Sequence, residues 1–283
     1  METVENPLIR ARTAFADTKV PALAVQDLHL NFETAQVLRG VHLEVRRGET
    51  LVLIGGSGSG KSTLLRSMIG ALPPTTGSVK LLGEDLYAAP PDTLASLRTR
   101  IGVLFQAGAL FSSMTVGENL ALLLREHRDL DEEIIRIIVK MKLELVGLRD
   151  FESLMPAELS GGMRKRVGLA RALTLDPEII FYDEPSAGLD PIVEGVIDKL
   201  ILDLAASFEV TSVVVTHHMR SAFLIADRIA MLHEGRIIAL GTPDEIQNSE
   251  NPVVQQFITG SPDGPIPLRC SRVDYREDLL SSE

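Results

Sequence analysis

Short apolar runs recur along the chain, and several stop abruptly at a polar or glycine-rich cluster. Leu51, Val52, Leu53 and Ile54 precede Gly55-Gly56-Ser57-Gly58-Ser59-Gly60-Lys61-Ser62, after which Thr63, Leu64, Leu65, Met68 and Ile69 follow at helical spacing. The pattern predicts a buried strand, a glycine loop and a helix, in that order. Ile101 to Phe105 repeats the switch before Gln106, Ile179 to Tyr182 before Asp183-Glu184, and Val213 to Thr216 before His217. In an open, mostly parallel α/β sheet, ligands bind outside the carboxyl ends of the strands. The loop, Gln106, Asp183-Glu184 and His217 are therefore expected to converge on one crevice.

Elsewhere the period changes. From Ala24 to Leu51, alternating runs that include Val25, Leu28, Leu30, Val37, Val41, Leu43 and Val45 are broken by Gly40 and Arg47-Gly48-Glu49. They predict antiparallel strands in a small β-lobe beside the loop. Pro73 to Gly77 reads as a turn, Val79 to Leu82 as a short strand and Gly83-Glu84-Asp85 as another turn. Thr115-x-x-Glu118 and Asp129-x-x-Glu132 have the form of capping boxes. The second precedes Ile134, Ile138, Met141, Leu145 and Leu148, a stripe expected to pack into the core. Ile229 to Leu232 and Arg236 to Leu240 flank Glu234-Gly235 as a hairpin, and a short helix is expected at Val253 to Ile258. Residues 1–22 lack periodicity and read as a loose leader, and the Pro-, Gly- and charge-rich tail as an extended arm.

Composition narrows the class. At 283 residues the chain can bury one sizeable core, and no stretch approaches the run of apolar residues a membrane helix needs. No signal peptide is indicated, and the single cysteine, Cys270, precludes an intrachain disulfide; both fit the cytoplasm. A net charge of -11 argues against nucleic acid as the main partner.

The chemistry centres on Gly55 to Ser62, which completes the phosphate-loop pattern G-x-x-x-x-G-K-[ST]. Glycines let successive backbone N–H groups turn toward one anion, and the new helix adds its positive end. Lys61 would reach the β- and γ-phosphates and Ser62 would ligate Mg2+. A plain Gly/Ser turn would need neither the lysine nor the flanking strand and helix. Asp183, after four apolar residues, is the carboxylate a Mg-nucleotide site requires, and Glu184 is then the general base that polarises water. His217 and His218 are consecutive and so point different ways, leaving only one to face a phosphate. No Cys or third His lies near at ligand spacing, which argues against zinc. Leu159-Ser160-Gly161-Gly162-Met163 opens a helix that Ser160 would cap, either as a second phosphate element or as an ordinary capped helix. Phe32 reads equally as a strand core residue or as a ring that stacks on adenine.

In this order the motifs resemble the ATP-binding cassette (ABC) ATPases. The correspondence runs from about Leu23 to Gly241 and includes Gln106 in the Q-loop, Leu159 to Met163 as signature, Ala187-Gly188-Leu189-Asp190 as D-loop and His217 as switch histidine. The resemblance implies an α/β nucleotide-binding domain at 23–260. Its core sheet carries a phosphate loop, an antiparallel β-subdomain and a helical subdomain at about 107–175, followed by an extension at 261–283. It implies adenine stacking by Phe32 and nucleotide contacts from Gly55, Gly56, Ser57, Gly58, Ser59, Gly60, Lys61, Ser62 and Thr63. It further implies Mg2+ on Ser62, Gln106 and Asp183, catalysis by Glu184, His217 and Gln106, and a head-to-tail homodimer. In that dimer Ser160, Gly161, Gly162 and Asp190 serve the ATP held by the other copy.

Phe105-Gln106-x-Gly108-Ala109-Leu110-Phe111, Leu154-Met155-Pro156-x-Glu158 and Asp263-Gly264-Pro265-x-Pro267 are similar to the ATPases of the Mla (maintenance of lipid asymmetry) transporters. Asp274-Tyr275 and Asp278-Leu279-Leu280 in the tail are similar too. That subfamily implies phospholipid traffic between two membranes, a permease, an MCE-domain lipid carrier, sometimes a STAS-domain partner, and residence on the cytoplasmic face of the inner membrane. Met163 replaces the glutamine of the general signature, as in the lipid subfamily, and His218 stands where an acidic residue is commoner. The rivals are a soluble cassette ATPase of repair, translation or cluster assembly and a cassette ATPase for a different transported substrate; repair members would carry a long insertion and translation factors usually a second cassette, and the sequence shows neither.

Overall fold

The computed structural model describes residues 20–33 and 35–266. Alternating residues build an antiparallel sheet from β1 (Leu23–Phe32) and β2 (Ala35–Val45), with β3 (Thr50–Ile54) passing into a second sheet. Helix α1 (Lys61–Met68) follows the glycine loop, and β4 (Thr76–Leu81) and β5 (Glu84–Asp85) complete the first sheet in the order β2-β1-β4-β5. The expected turns at Thr76-Gly77 and Glu84-Asp85 are thus strand instead. Gly77 lies close over the Asp27 backbone carbonyl, where a Cβ would stand 2.3 Å away, so β4 can pair with β1 there only as glycine.

Helix α2 (Pro91–Thr99) leads to β6 (Ile101–Leu104), and three helices follow: α3 (Val116–His127), α4 (Glu132–Leu145) and α5 (Gly161–Ala172). Then come β7 (Ile179–Asp183), α6 (Pro191–Phe208), β8 (Thr211–Val215), α7 (Met219–Ile225), β9 (Arg228–His233), β10 (Arg236–Gly241), α8 (Pro243–Gln247) and α9 (Pro252–Thr259). The second sheet runs β10-β9-β3-β8-β7-β6, parallel except for the β9–β10 hairpin.

Strand alternation divides this sheet between two cores. Leu51, Leu53, Phe181, Val213 and Val215 pack with Leu28, Val41 and Leu43 of the antiparallel sheet and with Leu64 and Met68 of α1. Val52, Ile54, Ile180, Tyr182 and Val214 pack with residues of α3 to α7. The four-residue apolar runs are therefore buried on both faces, as parallel strands covered on both sides must be.

Two helical expectations change. Thr115 forms its capping box, its Oγ1 accepting from Glu118 N–H while the Glu118 carboxylate accepts from Thr115 N–H at 2.7 Å. The second box does not form: α4 starts after Asp131, and Glu132 pairs instead with Arg125, both guanidinium bonds at 2.7 Å. The apolar stripe is also rotated. Ile138 and Leu148 pack on the core as expected, but Ile135, Val139 and Leu143 take the buried face while Ile134, Met141 and Leu145 are exposed. A one-residue shift turns a helix by about 100°, and α4 is apolar on both candidate faces, so packing against its neighbours chooses between them.

Candidate functional site

The parallel register aligns the strand ends. Leu53 is opposite Val215, Val215 opposite Asp183, and Tyr182 opposite Leu104, so the residues that follow emerge along one edge. The phosphate-type loop, Asp183-Glu184, His217 and Gln106 share that edge. They are not equidistant: β6, which delivers Gln106, is three strand spacings from β3, about 14 Å at the usual separation. Gln106 is exposed at the outer end of the row.

The loop is shaped by close backbone approach. Gly55 has φ +152, and a Cβ there would lie 2.1 Å from the Leu232 carbonyl oxygen, so only glycine can pass β9. Gly60, at φ +106, precedes α1 and supplies no capping side chain. Thr115, Ser160, Asp190, Thr242 and Asn251 all cap their helices by accepting backbone N–H groups. The first-turn N–H groups of α1 therefore lack the side-chain acceptor those helices have, beside a loop where Cβ atoms at Gly56 and Gly58 would meet only open space. Two adjacent positive-φ residues, Glu234 and Gly235, close the β9–β10 turn. Gly235 N–H donates to the Ser59 carbonyl and the Gly235 carbonyl accepts from Arg39 N–H, stitching the loop to both sheets.

Lys61 Nζ donates to the Gly55 and Gly56 carbonyls at 2.7 and 2.9 Å, so its ammonium sits within the loop it follows. Burial pushes its pKa down, opposed by the nearby charges of Glu184 and Asp183. Burial, then the neighbouring Glu184, pushes the Asp183 carboxyl up, with Arg66 and Lys61 acting against them. Glu184 has φ +48 and is held by its N–H on the Val215 carbonyl. Its Oε2 lies 2.8 Å from His217 Nδ1 and also accepts from His217 N–H at 3.4 Å. His218 turns away to Glu194, Nδ1 to Oε1 3.0 Å, so the two histidines do take different partners.

Among the described residues no group of three or more His, Cys, Asp or Glu is arranged to hold a metal. The oxygen donors Ser62 and Asp183 nevertheless suit a hard cation that takes only one or two protein ligands and completes its shell with phosphate and water. The raised carboxyl of Asp183 fits that use, since it stands where added positive charge is stabilising.

Ser160, Gly161 and Gly162 make a different neighbourhood. Ser160 Oγ caps α5 by accepting from Met163 N–H at 3.2 Å. A Cβ on Gly162 would lie 2.5 Å from Val193, so the start of α5 packs closely on the start of α6. Asp190 caps α6 through Ile192 and Val193 N–H. Phe32, at the end of β1, is 51% exposed, which excludes the core reading of that ring.

Residues 38–187 match the family described as ABC transporter. The chain is 43% identical over 244 residues to the intermembrane phospholipid transport system ATP-binding protein MlaF of Escherichia coli K12, covering 86% of this chain and 91% of that protein. The chain belongs to the ABC transporter family. It is an ATP-binding subunit of that family, an ATPase homologous to MlaF. It is also 44% identical over 245 residues, covering 87% of this chain and 71% of that protein, to the "Probable ribonucleotide transport ATP-binding protein mkl" of Mycobacterium leprae. A dimeric post-hydrolysis structure of the ATP-binding cassette MJ0796, bound to ADP and Pi, has a TM-score of 0.73 at 30% identity, covering 78% of this chain and 98% of that one.

The ABC fold brings forward residues that sequence reading missed. Lys165, buried on α5, donates through Nζ to the Glu184 and Ala187 carbonyls at 3.0 and 2.7 Å. It fixes the loop carrying Glu184 to α5, and burial lowers its pKa against the opposing charge of Glu184. Glu194, Asp198 and Ser221, described below, gave no sequence signal. No helix among the described residues is long and apolar enough to cross a membrane. The tail motifs from Pro267 onward, Cys270 among them, and residues 1–19 lie outside the described residues.

Proposed function

We propose that this ATPase powers phospholipid movement between the inner and outer membranes. It would work as a homodimer on the cytoplasmic face of the inner membrane, with a permease, an MCE-domain lipid carrier and, in some systems, a STAS-domain subunit. Residues 23–260 form the nucleotide-binding domain, with a helical subdomain at about 107–175. The observation that carries the hydrolytic reading is the Glu184–His217 pair, held 2.8 Å apart on the edge that also bears the phosphate loop. The phospholipid reading rests on the match over 91% of MlaF.

ATP binds with adenine on Phe32 and its phosphates on Gly55 to Thr63, where the N–H groups of the loop and the start of α1 are the donors. Lys61 transfers its two hydrogen bonds from loop carbonyls to phosphate. Glu184 accepts a proton from the attacking water, and His217, tethered to Glu184 through Nδ1, keeps the rest of its ring for the γ-phosphate. Ser62, Asp183 and Gln106 would hold Mg2+. The ion, when bound, spreads charge from the β- and γ-phosphates. Ser160, Gly161, Gly162 and Asp190 complete the site of the opposing subunit.

A groove of about 330 Å³ beside β6 is lined by Arg98, Phe105, Phe111, Leu122 and His127 among others, and it suits an apolar segment of the permease. A ribonucleotide cargo, from the name of the mycobacterial relative, is the second reading. The deciding experiment is gentle purification of the tagged chain from its native membrane, with mass spectrometry of bound proteins and lipids. A permease and an MCE protein carrying phospholipid are expected. Recovery with membrane subunits that carry ribonucleotide, or with none at all, overturns the lipid reading.

A further inference from the structure

Behind His217 lies a polar cluster that joins α6 to α7. Glu194 Oε1 is 3.0 Å from His218 Nδ1 and 2.7 Å from Ser221 Oγ, and the same hydroxyl is 2.8 Å from Asp198 Oδ2. A hydroxyl has one proton to give, yet Ser221 stands between two carboxylates. If both were ionised, one short contact would set lone pairs against a buried negative charge. Asp198 is only 4% exposed, and its other oxygen, Oδ1, is buried without a hydrogen-bond partner. An unpaired carboxylate oxygen is costly there, whereas a neutral carbonyl oxygen is tolerated.

We propose that Asp198 is protonated in the folded enzyme and starts a one-way hydrogen-bond relay that positions the switch histidine. In this relay Asp198 donates to Ser221, and Ser221 donates to Glu194. Glu194 also accepts from His218 Nδ1–H. The His218 ring, fixed in this way, stands edge-on to His217, with centroids 4.5 Å apart and planes inclined at 62°. His217 then meets Glu184. Glu194, Ser221 and His218 are thus positioning residues, since none touches the reacting atoms. The relay lies in the segment where an acidic residue commonly follows the switch histidine. Here the acid is supplied from α6, across the interface with α7.

The charged and titratable groups facing Asp198 are Glu194 on its own helix and, at the start of α7, His218 and Arg220. Burial pushes its carboxyl up. Ser221 opposes that rise, Glu194 adds to it, and His218 and Arg220 act against it. The native state therefore binds this proton more tightly than the unfolded chain. Stability is lost as pH rises above the unfolded value of about 3.9, until the folded carboxyl itself ionises.

The relay rests on the hydrolytic roles of Glu184 and His217, so two readouts separate the ideas. In Asp198→Asn the amide donates to Ser221 as the protonated acid does. The full-length variant should keep kcat within about twofold of the parent. Its Tm advantage over the parent should grow as pH rises from about 4 to 8. A Tm difference that shrinks or stays constant over that range means Asp198 is not a retained proton carrier, and the proposal fails whatever the activity. Ser221→Ala should lower kcat about tenfold with the KM for ATP within about twofold. An unchanged kcat in folded Ser221→Ala removes the positioning role. Should Ser221→Ala not fold, the Asp198→Asn pH series still decides. Retained turnover in Glu184→Gln would instead overturn the hydrolytic reading itself and leave the Asp198 result standing.

Discussion

Lys61 illustrates how one side chain answers to two demands. Burial disfavours its charge while Asp183 and Glu184 preserve it, and its ammonium is already spent on the Gly55 and Gly56 carbonyls. Lys61→Ala should weaken ATP binding and turnover together, at least about tenfold each by fluorescent-nucleotide titration and phosphate release, as loss of a charged hydrogen bond implies. Glu184→Gln keeps the shape and removes the proposed base. ATP affinity should stay within about twofold while kcat falls about 10²-fold or more, the usual share of general-base catalysis. The loop glycines separate steric need from open space. Gly55→Ala drives a Cβ onto the Leu232 carbonyl and should cost more than about 2 kcal/mol in denaturant unfolding. Gly56→Ala meets nothing within 4 Å and should cost less than about 1 kcal/mol. The phosphate loop was legible because the two glycines that frame its pattern, Gly55 and Gly60, are set by close contacts with Leu232 and Leu38. The use of Lys165 was not, because its partners are backbone carbonyls 19 and 22 residues away.

At the scale of elements, caps and strand ends decide what the sequence reveals. Thr115→Ala breaks a formed capping box and should cost about 1 kcal/mol, read as a shift in the chemical-denaturation midpoint. Asp129→Ala, in the box that does not form, should leave the midpoint unchanged. Both have the same four-residue signature, and the difference lies in where α4 begins. Glu178, just before β7, receives Arg47 from ahead of β3 and Arg100 from ahead of β6, clamping the amino ends of the sheet. The Arg100 hydrogen bond, then its charge, with Arg47 assisting, holds the Glu178 carboxyl below its usual range. A depressed carboxyl contributes stability above the unfolded pKa, near 4.5, and loses it as pH falls through the folded value. Glu178→Gln should flatten the acid limb of a Tm–pH curve below about pH 5, by less than about 1 kcal/mol because the pair is over one-third exposed. This slope is opposite to that of Asp198. Helix α6 went unread although Asp190-Pro191 opens it, because its 18 residues carry apolar side chains on several faces and show no single stripe.

For the whole molecule, the shared edge of the parallel sheet was accessible because four strands end in reactive residues, a regularity that only a common edge explains; the order of the strands was not. Which surfaces remain uncovered was not accessible, since an isolated pattern cannot say what packs on it. The exposed face of α4 and Ile192, 81% exposed at the start of α6 beside the signature helix, are such surfaces. Ile192 adjoins Asp190 and the close contact of Gly162 with Val193, where the other subunit would press. An isoleucine left in water there gains about 1.5–3 kcal/mol on burial, and two copies in a symmetric dimer double that gain. In the Glu184→Gln background, ATP should therefore double the mass measured by sedimentation, because the closed pair cannot hydrolyse its way open. Adding Ile192→Glu buries two like charges at the same seam and should return the protein to monomer, with nucleotide affinity of the single subunit retained. A dimer that survives Ile192→Glu would put the contact elsewhere on the molecule and separate the signature helix from the opposing nucleotide.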